Sequence, residues 1–522
     1  YEIPKRDWSS DVCSSDLELI AAYLEDEGTR VVLAYIEGVA DGRRLMRLGH
    51  RAAQLGKPIL LWKAGRREQG QRAAATHTAS MTGRYDIYQA ALRQAGIIEI
   101  DEVDYAADLA RYLSLGKLPQ GPRVAVTGGS GGAAIVFADA CDELGLQMPP
   151  LAPATVAAIR RHVPGVSERG NPVDFVGGWL SQANAPKFGG VIEAFLADPN
   201  IDQVCVMNST VDGGAAANGA RLLAASAARS TKPISVFSSA PPAAVGEAMS
   251  LLRDAGIPVC DTPVRLARVA AAAAEYSRLR DQVRRCASLD APARSQPAAR
   301  ASLNEVESKA LVREAGIAVT RDVFLADAGD IPDGLRYPVA LKLVSADVPH
   351  KSDVGGVRLN IMDEDELRTA IPDMARTVKR DAPQARIEGY LACEMVNDAL
   401  ELIVGVINDE VFGPTVLLGM GGIHAEVLRD RVYRVAPFDD VVAREMIESL
   451  KGYALLQGVR GQPPCDIAAL AQALTALSRF AWTKRDSLLE LDVNPLFVRR
   501  GTDGVVAGDA LAIVSVVDSA GQ

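Results

Sequence analysis

Histidine is scarce in this chain, with five among 522 residues. Cysteine is hardly commoner: Cys13, Cys141, Cys205, Cys260, Cys286, Cys393 and Cys465 are scattered without the spacing of a metal site, a usage that fits a reducing cytoplasm. A surplus of positive charge is missing as well. The 56 Lys and Arg against 66 Asp and Glu leave a formal charge of -10, which argues against a nucleic-acid-binding surface but leaves room for local cationic pockets. No apolar run is long enough to cross a bilayer, and no secretory segment is visible. What the chain does have is 48% apolar residues over more than 500 positions, enough for several folding units with substantial cores.

Two of the few histidines sit in unusual company. His77 lies in Thr76-His77-Thr78-Ala79-Ser80-Met81-Thr82-Gly83, and His350 in His350-Lys351-Ser352-Asp353-Val354-Gly355-Gly356-Val357. Imidazole is nucleophilic near neutral pH, and loops of small residues leave room for a phosphoryl group bonded by hydroxyls and backbone N–H groups. Both are therefore candidate phosphoryl carriers; each run alone also reads as a glycine turn holding a solvated histidine. His50, His162 and His424 show no setting that demands imidazole, and surface or interior roles are expected for them.

The pattern along the chain alternates strands and helices. Arg30 to Ala34, the amphipathic stretch 42 to 55, and Pro58 to Trp62 read as one β-α-β unit. The alternation recurs with a strand at Arg123 to Thr127, a glycine turn at Gly128-Gly129-Ser130-Gly131-Gly132, a helix over 133 to 144, and strands at Val204 to Met207 and Pro233 to Phe237. Such alternation favours parallel sheets covered by helices. The turn at 128–132 joins a strand to a helix, where N–H groups and the helix dipole receive anions, although glycine turns also close such units for steric reasons alone. Asn171 and Asp174, in Asn171-Pro172-Val173-Asp174, read equally as turn formers. After Arg285 the chain gains proline, alanine and serine and reads as a linker, beyond which Leu303 to Lys309 starts a helix and Tyr337 to Lys342 forms a strand ending in a lysine. A charged strand residue is costly to bury without an anion, so Lys342 is expected to face a ligand.

These runs, together with Tyr35-Ile36-Glu37-Gly38, Gly56-Lys57-Pro58-Ile59, Lys63-Ala64-Gly65-Arg66, Glu394-Met395-Val396, Gly419-Met420-Gly421-Gly422 and Leu491-Asp492-Val493-Asn494-Pro495-Leu496, resemble in content and order the NDP-forming acyl-CoA synthetases. This is the superfamily of ADP-forming acetate-CoA ligase and succinyl-CoA synthetase, and the resemblance runs from Glu18 to about Val517. It implies an α/β fold: two flavodoxin-like (succinyl-CoA synthetase-like) parallel-sheet domains over 18–118 and 119–284, a linker over 285–300, and an ATP-grasp domain over 301–522. It implies that His77 is phosphorylated, that Glu37 steadies its ring by accepting Nδ1–H so that Nε2 attacks phosphorus, and that His350 is a second phosphohistidine. Gly128, Gly129, Ser130, Gly131, Asn171 and Asp174 would hold acyl phosphate or phosphate; Lys342, Gly355, Gly356, Glu394, Val396 and Glu401 would hold ATP; Asn494, Asp509 and Asp492 would bind Mg²⁺.

The implied reaction joins a carboxylic acid to CoA with ATP, releasing ADP and phosphate. Composition points to a cytoplasmic protein that engages neither nucleic acid nor membrane; the oligomeric state is open, with a homodimer suggested by resemblance alone. Acetate, longer or branched acids and aryl acids such as ferulate all remain open as substrates. Two other readings stand beside it: the synthetase-like body of a protein acetyltransferase regulator, and a non-catalytic CoA- or nucleotide-binding sensor. Residues 1–17, which include Asp7-Trp8-Ser9-Ser10-Asp11-Val12-Cys13, resemble the translation of a sequencing adapter without helical or strand periodicity. They are expected to be non-native, with an amino-terminal CoA-binding module lost in front of Glu18.

Overall fold

A computed structural model describes residues 12–67, 69–70, 84–115, 117–175, 179–181, 183–284, 299–348, 351–422 and 430–516. Two compact units emerge. The first holds most described residues before 285, and the second holds those from 299 onward together with 41–43 and 84–91.

The first unit contains two parallel sheets. Strands β1 (Val32–Ile36), β2 (Ile59–Lys63) and β3 (Ile98–Glu99) run in that order, with Ile36 opposite Lys63. The second sheet is built from β4 (Val124–Gly128), β5 (Val173–Asp174), β6 (Gln203–Asn208), β7 (Ile234–Ser238) and β8 (Val259–Cys260), ordered β5-β4-β6-β7-β8. That is the 2-1-3-4-5 order of flavodoxin-like folds, in which the chain reverses direction between the first and third strands and leaves a crevice at their carboxyl ends. Gly128 ends β4 at that point, and the helix Gly131–Leu144 starts beside it. Although the sheets are separate, one apolar cluster joins Leu60 of β2, Ile100 and Tyr105 to Val124 and Val126 of β4 and Cys205 of β6. The two flavodoxin-like halves thus share a core and form one compact body.

The second unit is antiparallel. A four-stranded sheet is ordered β10 (Asp322–Leu325), β13 (Gly389–Glu394), β11 (Val339–Val344), β12 (Val357–Ile361). A larger sheet joins β9 (Ala299–Ser302), β14 (Ala399–Asp409), β15 (Gly413–Met420), β16 (Arg431–Val435), β17 (Leu488–Arg499), β18 (Val505–Ala507) and β19 (Leu511–Val516). This two-sheet arrangement is the expected ATP-grasp half. Its first helix, Glu305–Glu314, is specified locally: the Asn304 side chain accepts from the Glu307 N–H, and the Glu307 carboxylate accepts from the Asn304 N–H. This reciprocal capping box satisfies two otherwise orphaned donors.

Most strands sit one or two residues further along the chain than apolar patterning suggests. β1 extends to Ile36 and β2 to Lys63, and β11 begins at Val339 because Tyr337 and Pro338 precede the ladder, where proline has no N–H to donate. Lys342 is consequently inside β11 and not at its end. The helix Val12–Glu25 also takes in residues of the segment assigned outside the fold, and Leu17 is buried. Among the described residues, no helix is long and apolar enough to cross a membrane.

Candidate active site

The glycine turn after β4 is shaped by close approaches. A Cβ on Gly128 would stand 2.0 Å from the Met207 carbonyl oxygen, one on Gly129 2.2 Å from Trp179 Nε1, and one on Gly131 2.9 Å from an Asp174 carboxylate oxygen. Only glycine lets this loop lie against β6 and under the indole, which is itself packed among Phe175 and Phe188. Ser130 is the N-cap of the following helix, its hydroxyl accepting from the Ala133 N–H at 3.4 Å. Gly128, Gly129, Ser130, Gly131 and Asp174 therefore meet at one helix start in the sheet crevice, with the Gly129 N–H donating to the Met207 carbonyl.

Asn171 is used differently from expectation. Its Oδ1 accepts from the Val126 N–H at 3.0 Å, and its Nδ2 donates to the Val124 carbonyl at 2.9 Å and the Pro149 carbonyl at 3.3 Å. β5 is too short to pair with these β4 residues, so the buried amide continues the ladder in its place. A side chain spent in this way clamps the strand.

Glu37 follows β1 at the carboxyl edge of the first sheet. Beside it is Lys63, the last residue of β2, fully buried and donating to the carbonyl oxygens of Glu37 at 2.6 Å and Ala64 at 2.5 Å. Burial pulls its ammonium down to about 8, against the opposing attraction of Glu37 and Glu99. Arg66 donates to the Lys63 carbonyl and pairs with Glu99 at 3.3 Å, completing a charged edge. His77 and His350 lie outside the described residues, as do His424 and Glu426.

The second unit gathers charge most densely. Lys342 is 8% exposed, and its Nζ meets Glu305 Oε1 at 3.0 Å, Asp509 Oδ2 at 3.0 Å and the Gly508 carbonyl at 2.8 Å. Lys351 meets Glu305 Oε2 at 2.9 Å and Asp509 Oδ1 at 3.2 Å. Lys309 approaches Glu305 at 3.1 Å and Asp322 at 2.7 Å. Burial alone would raise the Glu305 carboxyl, yet Lys342, Lys351 and Lys309 outweigh it and hold the group at about 2. The anionic partners that Lys342 requires are thus carboxylates of the chain itself.

Asp509 links this cluster to the expected metal ligands. Leu496 pairs with Ala507 and Asp492 with Leu511, so two ladders bracket Asn494 on β17 and Asp509 in the connection from β18 to β19, with Asp492 two residues from Asn494 on the same exposed strand face. One amide and two carboxylates offer the hard oxygen donors that suit Mg²⁺. Glu394 closes β13, its side chain 3.5 Å from Arg321, and Val396 lies in the short connection to β14 that joins the two sheets. Glu401 is on β14 with its carbonyl accepting from the Gly421 N–H. Gly355 and Gly356 lie in a tight turn against β11: the Gly356 N–H donates to the Lys351 carbonyl at 2.7 Å and its carbonyl accepts from the Leu343 N–H.

Several residues are removed from chemistry by their surroundings. The thiols of Cys141, Cys205, Cys260 and Cys393 are all pushed up by burial, Cys205 to about 12, so none is a thiolate near neutrality. Burial holds His50 below the ordinary imidazole value, and the His162 ring packs against Gly190.

Sequence comparison agrees with this architecture domain by domain. Residues 10–113 match the succinyl-CoA ligase like flavodoxin domain, residues 124–284 the Ligase-CoA domain, and residues 294–514 the ATP-grasp domain. An ADP-forming acetate-CoA ligase I of Archaeoglobus fulgidus is 35% identical over 499 residues, covering 93% of this chain and 70% of that protein. The chain belongs to the NDP-forming acyl-CoA synthetases. Within that family, an ADP-forming 4-hydroxybutyrate-CoA ligase of Nitrosopumilus maritimus is 29% identical, covering 93% of this chain and 70% of that protein. A trans-feruloyl-CoA synthase from an unknown prokaryotic organism is 30% identical, with 94% and 70% covered. The family thus spans small, hydroxylated and aromatic acids at similar distances from this chain.

Proposed function

We propose that this chain is an ADP-forming acid-CoA ligase that activates a carboxylic acid through a phosphohistidine and an acyl phosphate. The observation that carries the reading is the buried lysine pair Lys342 and Lys351 beside Asp509, with Asn494 on β17, inside an ATP-grasp fold. ATP is the phosphoryl donor. An imidazole nitrogen of His350 attacks the γ-phosphorus and ADP leaves; the phosphoryl group passes to Nε2 of His77, and a substrate carboxylate oxygen then takes it to form the acyl phosphate. CoA thiolate attacks the acyl carbon, the C–O bond to phosphate breaks, and thioester and inorganic phosphate result. Asn494 and Asp509, with Asp492 alongside, would hold Mg²⁺, which when bound would supply charge neutralisation at the phosphoryl group.

The protein's own groups do the positioning. Lys342 offsets phosphate charge, Glu394 and Val396 border the connection where adenosine is held, and Glu401 lines the adjoining strand. The turn Gly128 to Gly131 receives phosphate with backbone N–H groups in the sheet crevice, and Glu37 orients the imidazole of His77. The cysteines, scattered without a metal-type spacing, support a cytoplasmic setting. The test supplies γ-labelled ATP to the chain and follows acid-labile protein phosphate, then adds acid and CoA. Acid-labile label that disappears in the His77→Ala, His350→Ala double variant, with ADP as nucleotide product, supports the reading. AMP with pyrophosphate, or label that survives the double substitution, defeats it.

A further inference from the structure

Six buried or half-buried charges balance in the second unit: Lys309, Lys342 and Lys351 against Glu305, Asp322 and Asp509. Four of them close a ring. Each ammonium of Lys342 and Lys351 lies between one oxygen of Glu305 and one of Asp509, at 2.9 to 3.2 Å. The two carboxylates are not equivalent, since the Glu305 side chain is 0% exposed whereas that of Asp509 is 24% exposed. Glu305 is the fixed inner wall and Asp509 the side open to solvent.

We propose that Lys342 and Lys351 together receive a phosphoryl oxygen of the nucleotide, that Glu305 is the positioning residue holding the two ammoniums side by side, and that Asp509 fills their open side until nucleotide displaces it. This rests on the nucleotide reading above and adds Lys351, Glu305 and the exchange at Asp509. The backbones make the pair rigid. Lys342 is inside β11, flanked on both sides by β12 and β13, and the Lys351 carbonyl is held by the Gly356 N–H. When Asp509 turns toward a metal held with Asn494, two buried ammoniums are left sharing one carboxylate. An uncompensated buried cation is costly, so the pair then demands another anion. Metal and phosphate are thereby linked: each ligand removes the Asp509 contact that opposes the other.

The linkage makes an unusual prediction, because removing a metal ligand should improve binding of metal-free nucleotide. Calorimetric titration of the whole chain with ADP in chelator, and with ADP plus Mg²⁺, tests it. Wild type is expected to bind Mg-ADP well and free ADP weakly. Asp509→Asn is expected to bind free ADP on the order of tenfold tighter than wild type does, the added Lys351→Met substitution removing that gain. If wild type binds Mg-ADP but Asp509→Asn gains nothing for free ADP, Asp509 is a metal ligand alone and the proposal is overturned. If wild type binds neither form, the nucleotide reading itself falls and takes the proposal with it. Should Asp509→Asn fail to fold, Lys351→Met in the native background is the second arm: a roughly tenfold loss of Mg-ADP affinity with an unchanged circular dichroism spectrum is expected, and unchanged affinity refutes the pairing.

Discussion

Replacing Glu305 by glutamine keeps the shape of the side chain and removes one charge from the centre of three lysines. The cost follows from two independent routes. Breaking a buried ion pair by deleting one partner costs about 3–5 kcal/mol, because the remaining charges stay in low dielectric. The second route is the Glu305 carboxyl itself, which the ammoniums of Lys342, Lys351 and Lys309 hold well below its ordinary value against the effect of burial, so the folded state prefers the ionised form and the sign of the cost is the same. The sign is also determined: a depressed carboxyl contributes stability that is present above 4.5 and lost as pH falls from there toward about 2.

A chain of two compact units need not unfold in a single step, so the assay must be local. Hydrogen exchange at the β11 amides of Leu341 and Leu343 reports opening of the strand that carries Lys342, while Val204 and Val206 of β6, in the first unit, are the control. Glu305→Gln should accelerate exchange in β11 about 100-fold near neutral pH and leave β6 unchanged. Adding Lys351→Met should return part of the loss, since removing a cation restores the charge balance; the double variant should be less destabilised than the sum by about 1–3 kcal/mol. Exchange in β11 within a few-fold of wild type, or strict additivity of the two substitutions, would show that the three lysines do not depend on this carboxylate.

Gly129→Ala should destabilise by about 1–3 kcal/mol, because the new methyl meets the packed Trp179 indole; a shift of Trp179 fluorescence with the lost melting temperature is the readout, and a neutral variant refutes the packing. Asn171→Ala should cost about 1–3 kcal/mol by leaving the Val126 N–H unpaired in β4, with local exchange faster at Val126 than at Val236. The Lys63 ammonium, depressed to about 8 by burial, destabilises the fold where it is protonated, so wild type should gain stability as pH rises from about 8 toward 10.5. Lys63→Met should lack that gain in a melting series across the same range, and parallel curves for the two proteins would refute it.

The parts of the molecule that patterning reveals are those set by near neighbours in the chain. The helix over 42–55, the alternation of strand and helix, the turn at Gly128 and the helix beginning near Leu303 each depend on residues a few positions apart. Strand ends are less legible because apolar runs do not stop where ladders stop. The apolar run from Pro58 stops at Trp62, yet the register with Ile36 makes the buried Lys63 the last residue of β2, and two backbone carbonyls make its burial tolerable. Asn171 reads as a turn former because its task, extending a ladder that β5 leaves short, exists only after β4 and β5 have paired.

The ring of charge shows the same boundary more sharply. Glu305 and Lys309 are four residues apart on one helix, a spacing that can be read directly, and their contact is the part of the cluster that the sequence exposes. Lys342 is 37 residues from Glu305 and 167 from Asp509, so no periodicity relates them. Lys351 is hidden for a different reason, standing beside a histidine whose chemistry draws attention first. Yet the requirement behind the cluster is legible: a lysine in the middle of an apolar strand needs an anion, and only its source is left open. The fold supplies Glu305 permanently and Asp509 on the solvent side. A ligand phosphate entering there would meet the same two ammoniums without creating a new buried charge, which makes exchange of one anion for another less costly than building an empty cationic pocket in advance.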